Sequence, residues 1–179
     1  MADLGLSGMA SSLAGSAASM AVQPALALCV LAAGCMFMLG LLTGIWKFAQ
    51  MWRSKRGLAH PYVDIAHRAA LLYSFACVLL GVLSLFSQWS ARTDFYAVLF
   101  PIVYFYAAVF SYMLQGLLSG PDNQMRQPHR FGQFSMPRAA LGAFMGSLIV
   151  AEVAGVAVLL WGVVQHPAVR NLPATWSSW

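Results

Sequence analysis

Residues 60–68 read HPYVDIAHR and bring two histidines, an aspartate and an arginine into one short stretch of a chain that is only 8% charged. Pro61 suits the first turn of a helix, so a helix is expected to begin near His60 and run onward. At about 100° per residue, His60, Asp64 and His67 then share one face and Arg68 lies one turn beyond Asp64. Three chemistries are open to that set. Asp64 can pair with Arg68 at a membrane boundary while the histidines sit in the interface. His60, Asp64 and His67 can form a two-histidine, one-carboxylate site for a non-haem metal. Or His67 alone, turned into a helical bundle, can be the axial ligand of a haem, with Asp64 orienting or neutralising behind it.

Further chemistry-bearing residues lie in apolar surroundings. The stretch PIVYFYAAVFSYMLQG places Tyr104, Ala108, Ser111, Tyr112 and Gln115 on one helix face and Tyr106 on another. Buried phenols require partners, so these tyrosines either bond across helices or line a cavity for a small apolar ligand. Glu152 lies within SLIVAEVAGVAV. A charge at the bilayer centre costs about 2.5 to 3.5 kcal/mol on insertion scales, which directs this side chain to a bundle interior. There it is either a proton or cation site or the partner of a tyrosine or serine on a neighbouring helix. From His67, the positions Ser74, Cys77, Gly81, Ser84 and Gln88 form a small and polar stripe that suits a pocket wall or a packing seam. GLLTG at 40–44 and GAFMG at 142–146 permit close backbone approach, within the chain or between subunits.

Four apolar runs must position these groups, near residues 24–46, 66–88, 95–118 and 139–164. Each is long enough for a hydrocarbon core of roughly 30 Å, which needs about 20 helical residues. Strands would leave backbone groups unpaired in lipid, and no barrel-type alternation is present. The expected fold is all-α, an integral membrane four-helix bundle, with an Ala/Ser/Gly-rich segment at 1–23 and a polar-aromatic tail at 165–179. A 60% hydrophobic composition and a mean hydropathy of +0.71 agree with that class. The net charge of +5 does not indicate a nucleic-acid partner, because ten basic residues scattered over loops make no continuous basic face. Topology explains them: Lys47, Arg53, Lys55, Arg56, Arg68, Arg126, Arg130 and Arg138 fall on one side, Arg92 and Arg170 on the other. Both termini are therefore expected on the non-cytoplasmic side. The first 23 residues hold no Lys or Arg, so a cleaved secretory signal is not expected there. The short SQWSARTD link makes the second and third helices antiparallel neighbours, whereas the two cytoplasmic links run to about 20 residues, the second (119–137) irregular. Cys29, Cys35 and Cys77 lie inside apolar runs and read as structural thiols. No phosphate loop, dinucleotide fingerprint, serine triad or zinc-protease motif occurs, which argues against hydrolase and nucleotide chemistry.

This layout resembles the styrene oxide isomerase and hydroxylaminobenzene mutase group, small bacterial membrane proteins of four helices. Their second helix opens on an Ala-His pair, as Ala66-His67 does here, and a loop bearing Gly, Pro and Asn follows helix three, as SGPDNQ does. The resemblance implies haem b ligated by His67, whose ferric iron acts as a Lewis acid on an epoxide or hydroxylamine. It also implies a helix-three tyrosine that assists, for which Tyr104, Tyr106 and Tyr112 are all candidates. It further implies a homotrimer in the bacterial inner membrane and a small hydrophobic, aromatic substrate arriving from the bilayer. The chain departs from the group six residues after His67, where the isomerase carries a catalytic Asn followed by Gly and this sequence has Tyr73-Ser74. A phenol there can still donate a hydrogen bond, although it is longer and more acidic than an amide. His129, in the 119–137 loop, is the candidate second axial ligand. The contrasting expectation is a non-enzymatic membrane subunit or small transporter, with Glu152 as its proton or cation site and tyrosines lining the path.

Overall fold

The computed structural model describes residues 23–118, 130–131, 134–135 and 137–171. The N-terminal segment, the SGPDNQ loop with His129, and most of the C-terminal tail lie outside the described residues. Four long helices make up the protein: α1 (Pro24–Arg53), α2 (Pro61–Phe86), α3 (Ala91–Leu117) and α4 (Arg138–Val164). A one-turn α5 (Pro167–Arg170) follows α4, and β1 (Arg130–Phe131) pairs antiparallel with β2 (Phe134–Ser135) in the link before it. All four long helices are long and apolar enough to cross a membrane, so the chain is an all-α, multi-pass membrane bundle.

The helices outrun the expected spans at one end. α1 continues through Arg53 and α2 starts at Pro61, so only residues 54–60 link them, not about 20. At 1.5 Å per residue the 30 residues of α1 reach roughly 45 Å, well beyond a hydrocarbon core of about 30 Å. Its last turns can therefore be polar and still helical, because they stand in the interface. Gly57 makes the reversal with φ of +66°, and its N–H donates to the Ser54 carbonyl at 3.0 Å. His60 caps α2 by accepting the Tyr62 N–H on Nδ1 (3.3 Å), while its own N–H donates to Gln50 Oε1 (2.8 Å).

α2 packs most extensively on α1, and α3 touches each of the other three long helices. Ser74, Cys77, Gly81 and Ser84 are all buried along α2. The Ser74 and Ser84 hydroxyls donate to their own helix, to the Leu71 and Gly81 carbonyls, at 2.6 and 2.8 Å. This stripe is a packing seam, with Gly81 close against Cys29 of α1. Gln88 does not extend it, because α2 ends at Phe86 and Gln88 lies in the link to α3.

Between α3 and α4 the seam is built around a proline. Pro101 lies inside α3 and has no N–H, so the Ala97 carbonyl one turn earlier loses its helical donor. α4 presents Gly155 there, and a Cβ at that position would stand 2.6 Å from the Ala97 oxygen and 2.6 Å from Pro101 Cγ. Glycine lets the α4 backbone cover the freed carbonyl, with its Cα–H groups facing oxygen. Farther along, Trp89 Nε1–H donates to the Val158 carbonyl (2.9 Å) and the Gln88 N–H to that of Gly162 (3.2 Å). The first half of α4 is different: a Cβ on Gly142 or Gly146 would meet nothing within 4 Å.

Candidate functional site

His67 extends from α2 against α1, where its Nδ1 lies 2.8 Å from the Gly40 carbonyl oxygen. A carbonyl only accepts, so Nδ1 must carry the proton, and the neutral ring then offers Nε2 as a lone-pair donor. Nε2 has no hydrogen-bond partner among the described residues. The ring fits because residue 44 is glycine: a Cβ there would stand 2.9 Å from His67 Cε1 and 3.1 Å from Nδ1. Gly40 likewise admits Leu71 of α2, whose Cδ2 would lie 2.7 Å from an added Cβ. GLLTG is thus a seat for α2 within the chain rather than a subunit contact. The sequence pattern alone does not couple those glycines to the histidine, yet they set its orientation.

Asp64 does not supply that orienting bond. Its carboxylate pairs with Lys47 Nζ of α1 at 2.5 Å and with Arg68 at 2.9 Å, one helical turn on. The ion pairs are partly exposed and contribute about 1 kcal/mol or less each. His60 has its Nδ1 committed to the α2 cap. So His60, Asp64 and His67 share a helix but not a site. No group of three His, Cys, Asp or Glu side chains that could hold a metal ion occurs among the described residues. The two-histidine, one-carboxylate arrangement is not assembled, because Lys47 draws the carboxylate to α1 and capping holds His60 at the helix end.

The four tyrosines have different surroundings. The Tyr106 hydroxyl donates to the Ala32 carbonyl of α1 at 2.9 Å and acts as a tie between helices. Tyr104 lies beside Phe144 of α4, with ring centres 6.1 Å apart. Tyr73 stacks closely on Phe105, at 4.4 Å and 10° between planes. Tyr112 stacks on Tyr62 at 6.1 Å. Glu152 is half-buried near the middle of α4, and its Oε1, sealed from solvent, has no hydrogen-bond partner among the described residues. The bond to a tyrosine or serine that would explain it as packing is therefore not made by that oxygen among the described residues.

Asp94 was given no role by its sequence context. It is only 4% exposed in the first turn of α3, and its Oδ1 also has no hydrogen-bond partner among the described residues. The signal available was an acid one turn after the Ser90 cap, which ordinarily marks a helix start. Open apolar grooves of about 340 to 410 Å³ lie between α1 and α2 beside Ser74, between α3 and α4 beside Gly155, and along α4 beside Glu152.

No family model matches this chain, and searches of characterised proteins and of solved structures return no match.

Proposed function

We propose that the protein is a membrane-embedded enzyme that holds haem b through His67 and rearranges a small hydrophobic substrate, such as an aromatic epoxide or hydroxylamine, without net oxidation. The observation that carries this reading is the 2.8 Å contact from Nδ1 to the Gly40 carbonyl, which fixes the tautomer and leaves Nε2 for a metal. The donor set fits as well. Among the described residues His67 belongs to no group of three His, Cys, Asp or Glu side chains that could hold a metal ion, which suits an iron that brings four ring nitrogens of its own better than a bare metal ion. When bound, ferric haem would supply Lewis acidity.

The remaining work falls to the chain. Gly44 and Gly40 hold the imidazole against α1, and Lys47 and Arg68 offer cations to acidic groups at the same end of α2. Tyr106 is committed to the Ala32 carbonyl, so Tyr73, Tyr104 and Tyr112 are the phenols left to steady developing charge. Tyr73 stands where the resembling isomerase has its Asn, and its ring is fixed against Phe105. The apolar seams exclude water, which favours rearrangement over hydrolysis. By the positive-inside rule the Lys47 to Arg56 end faces the cytoplasm. A homotrimer is part of this proposal, and the open Gly142–Gly146 face of α4 is available for subunit contact. The test is an absorption spectrum of detergent-purified protein, expressed with haem supplied, beside His67→Ala. A Soret band lost in the variant supports the reading and leads to an epoxide and hydroxylamine screen; no band in either protein refutes it.

A further inference from the structure

We propose that α3 and α4 carry a binding site for an acidic phospholipid, with Arg92 holding the phosphate and the groove between the two helices taking an acyl chain. Arg92, Tyr96 and Phe100 follow one another at four-residue spacing, so cation, phenol and apolar ring form one row from the start of α3 inward. All three are exposed. Tyr96 and Phe100 stack with ring centres 6.2 Å apart and planes at 26°, which makes the row a continuous wall. Arg92 has no ion pair among the described residues. Asp94, the acid nearest to it in sequence, is buried and stands about 200° around the helix, so it leaves the guanidinium unpaired.

Two open clefts share Tyr96. One, of about 460 Å³, is lined by Arg92, Phe95 and Tyr96 together with Pro24 and Ala91, the first residues of α1 and α3. It lies at the helix ends, where a head group sits. The other, of about 360 Å³, lies between α3 and α4, with Thr93, Tyr96 and Phe100 on one side and Ala154 and Val158 on the other. It has no charged side chain in its lining, and from Thr93 to Phe100 it follows roughly 10 Å of helix into the span. The guanidinium fork matches phosphate oxygens, and the Tyr96 hydroxyl, unbonded among the described residues, offers a second donor one turn on. A free phosphate would use the cation and leave the groove empty. In a zwitterionic lipid the head group's own ammonium already balances the phosphate. An acidic phospholipid uses both parts of the site.

This inference is independent of haem and of His67. Its test is native mass spectrometry of the full-length protein in detergent, titrated with phosphatidylglycerol and with phosphatidylcholine of the same chains. Wild type should retain phosphatidylglycerol in preference, and Arg92→Gln should weaken that binding roughly tenfold, the effect of losing one charge-assisted contact. Arg170→Gln, at the same end of the bundle, should leave it unchanged. Ala154→Phe, which fills the groove from α4, should weaken both lipids alike. Equal retention of the two lipids by wild type would overturn the proposal, as would equal losses in Arg92→Gln and Arg170→Gln, which mark general charge attraction. Displacement of the lipid by an equal concentration of inorganic phosphate would reduce the site to its cation and refute the groove. An assembly that falls apart in Ala154→Phe with lipid retention unchanged would assign the groove to a second copy of the chain instead. If Ala154→Phe does not give a monodisperse protein, Arg92→Gln decides alone, since Arg92 is exposed.

Discussion

Replacing Gly155 with alanine puts a methyl 2.6 Å from the Ala97 carbonyl oxygen and 2.6 Å from Pro101 Cγ. Neither neighbour can yield, because one is backbone and the other a ring locked into that backbone. Ordinary contact begins near 3.4 Å, so α3 and α4 must part by about 0.8 Å along the seam. Overpacking of this kind costs roughly 1 to 3 kcal/mol, and parting the helices also weakens Cα–H contacts to the freed carbonyl, each about 0.5 to 1 kcal/mol. Alanine returns up to about 1 kcal/mol of helix propensity. The net expectation is a loss of about 1 to 3 kcal/mol. Gly146→Ala is the matched control, since its Cβ would meet nothing within 4 Å and only the propensity gain remains. Reversible unfolding in mixed micelles by added SDS measures both. A Gly155→Ala protein within about 0.5 kcal/mol of wild type would refute the account of the Pro101 seam. A destabilised Gly146→Ala would mean that a neighbouring subunit covers that face.

Three other substitutions have defined expectations. On the proposed haem ligation, Gly44→Ala should push the His67 ring off the Gly40 carbonyl and lower haem affinity by roughly tenfold or more in a titration, with helix content unchanged. Tyr106→Phe removes one bond between helices and should lower unfolding stability by about 0.6 to 1.7 kcal/mol. Lys47→Gln breaks the cross-helix pair to Asp64 and should cost about 1 kcal/mol or less, an effect that shrinks further in high salt.

Helix number and order were legible because hydropathy acts over whole spans and lipid permits few alternatives. The ends were not, since a helix leaving the hydrocarbon keeps its hydrogen bonds while changing composition; α1 through Arg53 is the case in point. Pairing of Asp64 with Arg68 follows from four-residue spacing, but Lys47 joins from another helix, and no local pattern encodes that contact. The two GxxxG pairs are alike in sequence. One seats His67 and Leu71, and the other faces open space, a difference decided by which helix lies opposite. The cost of Glu152 in lipid is legible in the sequence, whereas the lack of a partner for its Oε1 among the described residues is a matter of geometry.

His67 and Tyr73 are six residues apart on α2, about 240° around the helix, and they work on different neighbours: His67 on α1, Tyr73 on Phe105 of α3. α2 therefore separates a lone-pair centre on one side from a stacked phenol on the other. If the two are structurally independent, His67→Ala and Tyr73→Phe should change unfolding free energy additively in the protein without added haem, within about 0.3 to 0.5 kcal/mol. A coupling above about 1 kcal/mol would require a shared network through α2, and the centres would then have to be treated as one site. Additivity would instead leave His67 and Tyr73 as separate centres on different sides of α2, and a part for Tyr73 in chemistry at His67 would then have to be given up.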